Sequence, residues 1–87
     1  MALKDLDDIW AYTAEQWSIQ QANKYYKEIF EVINEICSNS ALGIPIDDIK
    51  RGHRKIHVKS HMIIYKVQQK TIYVDRILHQ KMDYDNN

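Results

Sequence analysis

The stretch IHVKSHMIIYKVQQKTIYVDRILH, from Ile56 to His79, decides the fold. Ile56 and Val58 alternate with basic residues, the period of a half-buried strand. A dense β-prone run follows, Met62-Ile63-Ile64-Tyr65-Lys66-Val67. Beyond it, Ile72, Val74 and Leu78 share one parity with Arg76. The connections Lys59-Ser60 and Gln68-Gln69-Lys70 are as short as β-hairpins require. Neither contains Gly or Asn, so the turn type is left open. The expectation is a three-stranded antiparallel meander.

Upstream the period changes to that of helices. Leu3, Leu6, Ile9, Trp10, Thr13, Ala14 and Trp17 recur at spacings of three and four. Asp5, Asp7 and Asp8 fall in the early turns, where the helix dipole favours carboxylates. Ser18 and Gln21 have the form of a capping box, with Trp17 placed to pack on Ala22 as a hydrophobic staple. A second helix follows, whose inner face is expected to be Ala22, Tyr25, Tyr26, Ile29, Ile33, Ile36 and Cys37, flanked by Phe30 and Val32. Ser38-Asn39-Ser40 ends it, because these residues favour caps and turns. The short join makes the helices an antiparallel hairpin. After a loop holding Gly43 and Pro45 the strands begin. An N-terminal helical hairpin packed on one face of a three-stranded antiparallel sheet buries both apolar surfaces, an α+β fold. The chain, 1–87, reads as a single domain, with Asp83 to Asn87 as a frayed end.

With 87 residues, the core is near the lower limit for independent folding. A hydrophobic fraction of 45% and a charged fraction of 28% fit a folded globular chain. The single cysteine, Cys37, excludes an intramolecular disulfide and suits a reducing cytoplasm. Neither a signal-like segment nor a membrane-length apolar run is present. The zero net charge conceals a division: Met1 to Ile49 carries three basic and nine acidic residues, Lys50 to Asn87 nine basic and three acidic. Only the second part could attract a polyanion or an acidic partner, or the division is merely one of solvated faces.

Few motifs carry catalytic chemistry. His53, His57 and His61 are spaced by four, but along a strand four residues span about 13 Å, too far for one metal. His57 and His61 meeting across a tight hairpin is the remaining option. Two glycines cannot build a phosphate loop, and no serine sits in a nucleophile elbow. The run Lys50-Arg51-Gly52-His53-Arg54-Lys55 has two readings of equal weight: bidentate arginine contacts to phosphate or carboxylate, or an edge strand protected by charge.

The order DLDDIWAYTAEQW, QANKYYKEIFEVI, IKRGHRKI, HMIIYKV, IYVDRILHQKMD resembles the ParE toxins of the RelE/ParE superfamily, from Ala2 to Asp83. The most specific pieces are Arg51-Gly52-His53-Arg54, His61 with Tyr65, and Arg76-Ile77-Leu78-His79 followed by Met82-Asp83. The resemblance implies a helical hairpin on an antiparallel sheet and a cognate antitoxin that wraps the toxin. It also implies a toxin that stabilises the cleaved-DNA complex of DNA gyrase by binding, with no reaction of its own. The family begins with a strand of about eight residues, typical of strands in general; that strand is not seen here. A partner chain, a second copy or the antitoxin could supply one by β-addition.

Under that reading Arg51, Arg54, His61, Tyr65, Arg76, His79, Met82 and Asp83 form or support the surface for target and antitoxin. Arg76, set among apolar positions, is expected to bond backbone or a carboxylate and so order the C-terminal segment. The expected partners are the antitoxin and gyrase, in a homodimer or hetero-oligomer, without a membrane, sequence-specific nucleic acid, metal or cofactor. The alternative is a RelE-like, ribosome-dependent mRNA ribonuclease, with His79 or Tyr84 as acid and base and Arg54, Arg76 and Lys59 or Lys66 as cations. A third is an inactive paralogue that only binds antitoxin.

Overall fold

A computed structural model describes residues 1–80; Met82, Asp83 and Tyr84 lie outside them. Helices α1 (Ala2–Gln16) and α2 (Ile19–Ser38) form the expected hairpin. The Ser18 hydroxyl accepts the Gln21 N–H at 2.9 Å, satisfying one of the donors that a helix start leaves open. Leu6 and Thr13 of α1 and Ala22, Tyr25, Ile29 and Ile36 of α2 are buried.

Three sequence expectations about these helices are corrected. Tyr26 is exposed and stacks on Phe30, ring centroids 4.9 Å apart, and Cys37 is exposed too. At 3.6 residues per turn, the line through Ala22, Tyr25, Ile29 and Ile36 leaves both positions on the flank. Trp17 is the C-cap of α1 and 77% exposed, so it is no staple on Ala22. Its N–H bonds Thr13 O and closes the first helix, where a staple residue would lead extended chain into the second.

The sheet has four strands rather than three, in the order β1 (Ile44–Pro45), β2 (His53–Val58), β3 (His61–Gln68), β4 (Thr71–His79), all neighbours antiparallel. The additional strand is two residues long and contains proline, which offers no N–H and is tolerated at an edge. Gln69 and Lys70 join β3 to β4 as a two-residue loop, both with positive φ (52° and 65°). That is the requirement of a type I′ turn, met without glycine or asparagine.

One irregularity sets the sheet's two faces. Ile64 pairs with Arg76 but Tyr65 with Val74, so Asp75 is a bulge. An extra residue shifts side-chain parity by one. The expectation that Ile72, Val74 and Leu78 share a face therefore fails at Asp75. Ile72 and Val74 pack against the helix-side core of Leu6, Tyr25, Ile29, Ile36, Val58, Ile63, Tyr65 and Ile77. Leu78 joins Met62, Ile64 and Ile46 in a second cluster.

Candidate functional site

An open groove of about 800 Å³ runs between α1, the first turns of α2, the β2–β3 turn and the end of β4. Its walls include Asp8, Tyr12, Trp17, Gln21, Lys59, His61, Arg76 and His79. Three sequence-predicted residues, His61, Arg76 and His79, thus share one concavity.

Of the two partners expected for Arg76, backbone or a carboxylate, the structure supplies a carboxylate. Its Nε and Nη2 donate to the Asp5 carboxylate at 2.8 and 3.1 Å, and the Ile77 N–H donates to the same group at 2.9 Å. Asp5 is buried, which alone would raise its pKa. The Arg76 hydrogen bond, the Ile77 N–H and the guanidinium charge outweigh burial and hold the pKa below the usual value. The first turn of α1 is thereby fastened to the end of β4.

His61 is fixed from below. The Tyr25 hydroxyl lies 2.6 Å from His61 Nδ1 and donates to Val58 O at 2.9 Å. Its one proton goes to the carbonyl, which can only accept, so the bond network assigns Nδ1–H to His61 and leaves Nε2 with the lone pair. Burial, and secondarily the neighbouring His79, lower the His61 pKa to about 4. It is neutral at physiological pH. The His79 ring lies across from it, centroids 5.2 Å apart.

The remaining predicted residues sit elsewhere. Tyr65 is fully buried; it accepts the Gly43 N–H at 2.8 Å and donates to Ser40 O at 2.9 Å, so it supports the loop before β1. Arg54 donates to Gly43 O at 2.7 Å and so braces the same loop. Arg51 is exposed in the turn before β2, and its carbonyl is 2.9 Å from His53 Nδ1. Lys50 bonds Asp75 at the bulge, which lowers the Asp75 pKa against the effect of burial. The option that His57 meets His61 fails: His57 pairs with Met62 and His61 with Val58, positions of opposite parity.

Sequence and fold both have matches among known proteins. A family model described as "ParE toxin of type II toxin-antitoxin system, parDE" covers residues 1–84. The chain belongs to the ParE toxin family. It is 39% identical over 83 residues to Toxin ParE1 of Mycobacterium tuberculosis, spanning 94% of this chain and 85% of that one. Toxin ParE1 of Caulobacter vibrioides is 34% identical over 82 residues, spanning 94% and 84%. A structure titled "Chromosomal ParDE TA system from P. aeruginosa" shares the fold, with a TM-score of 0.78 and 21% identity over 90% of this chain and 86% of that one.

In this ParE chain, Asp5 and Tyr25 are the site residues that sequence reasoning passed over. Asp5 reads as a helix-dipole carboxylate and Tyr25 as one more apolar stripe position. The signal was available for Tyr25: a buried tyrosine, unlike phenylalanine, needs a partner for its hydroxyl. No described helix is long and apolar enough to cross a membrane.

Proposed function

We propose that this ParE-family chain acts in the cytoplasm as a toxin that poisons DNA gyrase, stabilising the cleaved-DNA complex, and that a cognate antitoxin neutralises it. The observation that carries the reading is the pinned end of β4. Asp5 fixes Arg76 and Ile77, and His79 lies beside the Tyr25-anchored His61. The chain from Lys81 onward therefore leaves a rigid base, as a segment that recognises by binding requires. Family membership and a related structure titled as a ParDE system support the antitoxin as partner.

The same contacts favour binding over catalysis. Arg54 and Arg76, the two arginines among the cations of the ribonuclease reading, hold Gly43 O and Asp5, while Lys59 pairs with Glu28. Arg54 does not line the groove that contains His79.

The test is a supercoiling and cleavage assay with purified gyrase, plasmid DNA, ATP and this protein. Linear, protein-linked DNA that vanishes when antitoxin is added is the expected result. Unimpaired supercoiling together with mRNA cleavage on ribosomes would reverse the assignment.

A further inference from the structure

His61 and His79 face each other directly across β3 and β4. The Ile77 N–H, two residues before His79, turns away from β3 to Asp5, and Gln80 N bonds Ser60 O. His61 and His79 are therefore a non-hydrogen-bonded pair, the kind whose side chains approach most closely. Their ring planes meet at 77° with centroids 5.2 Å apart. An imidazole bound to zinc at 2.0–2.1 Å has its centroid roughly 3.2 Å from the ion, so two at a tetrahedral angle stand about 5.2 Å apart. The observed spacing is one that two imidazoles on a single ion can adopt.

The surroundings suit an ion as well. Tyr25 holds His61 Nδ1 and leaves Nε2 as the ligating atom, the outer support that metal-binding histidines use. Nearby cations have anionic partners: Lys59 is 2.9 Å from Glu28, and Arg76 is bound to Asp5. The groove beside the pair leaves space for water or for a donor from a docked protein.

We propose that His61 and His79 form an open two-histidine site for a borderline divalent transition metal of the zinc, nickel and copper class. Among the described residues no group of three or more His, Cys, Asp and Glu side chains converges on one point. The site is accordingly exchangeable rather than structural, with its other coordination positions left to water or a partner. Two imidazoles select these ions over magnesium and calcium, which prefer oxygen. A bound ion clips the start of β3 to the end of β4, at the base of the segment that begins at Lys81. This holds whether or not the chain poisons gyrase.

The experiment is calorimetric titration of tag-free protein with ZnCl2 and NiCl2, and with MgCl2 as control. One zinc or nickel ion per chain and no magnesium binding are expected. His61→Ala and His79→Ala should each weaken binding at least tenfold, and Tyr25→Phe should weaken it severalfold by releasing the His61 ring. His57→Ala, at an exposed position of the other sheet face, should change nothing. Copper titrated into the unaltered protein should show two imidazole nitrogens by electron paramagnetic resonance, a readout that needs no variant to fold. Binding that survives the double His61→Ala/His79→Ala change, fewer than two coupled nitrogens, or absence of zinc and nickel binding would each overturn the proposal.

Discussion

The Asp5 carboxylate accepts the backbone N–H of Ile77 at 2.9 Å, across 72 positions of sequence. Ile77 lies in β4, the last strand of the sheet, and this N–H faces away from β3. A helix carboxylate thus closes part of a sheet edge that would otherwise offer its donors to another strand. The same group binds Arg76, so edge protection and arginine neutralisation come from one side chain.

Replacing Asp5 by Ala should cost about 2–3 kcal/mol, because it removes two bonds to a partly buried guanidinium and the acceptor of a backbone donor together. Arg76→Ala alone should cost less, since Asp5 keeps the Ile77 bond. Urea unfolding of both single variants and the double variant checks this. Additive losses would show that Arg76 and Asp5 are not coupled.

Acid should destabilise the protein in two windows. The His61 pKa is depressed to about 4, so the unfolded chain takes up the proton first. The stability this confers is complete above the unfolded value of roughly 6.5 and falls as pH drops towards 4. Asp5 has a folded pKa below its unfolded one, so its contribution is complete above roughly pH 4 and fades further into acid. In a pH series of melting temperatures, His61→Asn should flatten the first slope and leave the second.

The type I′ turn at Gln69 and Lys70 holds two side chains at positive φ. The paired change Gln69→Asn and Lys70→Gly should stabilise the protein by about 1 kcal/mol, since asparagine and glycine reach that region with little strain. A rise in melting temperature without loss of binding is the expected measurement.

At Gly43 the limit is space. An added Cβ would lie 2.6 Å from the Tyr65 hydroxyl oxygen and 2.9 Å from Lys55 O. Gly43→Ala should therefore destabilise by about 1–3 kcal/mol as overpacking. Tyr65→Phe removes the hydroxyl and should partly relieve the clash in the double variant, which thermal unfolding can measure.

Ending the chain after Gln80 should abolish gyrase poisoning while antitoxin still binds. Pull-down with antitoxin and the cleavage assay, run on one preparation, separate the two. Undiminished poisoning by the shortened chain would remove the C-terminal segment from the recognition surface.

Much of this architecture was legible because it follows from periodicity. The Ser18 cap, both helices and the three longer strands come from spacing and residue type alone. The Asp75 bulge did not, since nothing in VDRIL distinguishes an extra residue from a paired one. Around it Lys50 meets Asp75 and Asp5 meets Ile77, contacts between residues distant in sequence. The need of Arg76 for a backbone or carboxylate partner was readable from its apolar neighbours, whereas the choice of Asp5 among nine N-terminal acids was not. Tyr65 became a surface candidate through the family resemblance, and its actual role, holding Gly43 and Ser40, belongs to a loop with no periodic signal.

The bond between Asp5 and β4 also has a meaning in time. The ribosome makes Asp5 well before Ile77, and domains assemble as their parts emerge. Until the final strand is released, Asp5 has neither the Arg76 guanidinium nor the Ile77 N–H to hold. The groove and the base of the C-terminal segment are built at that junction, so they come into existence only once β4 has emerged.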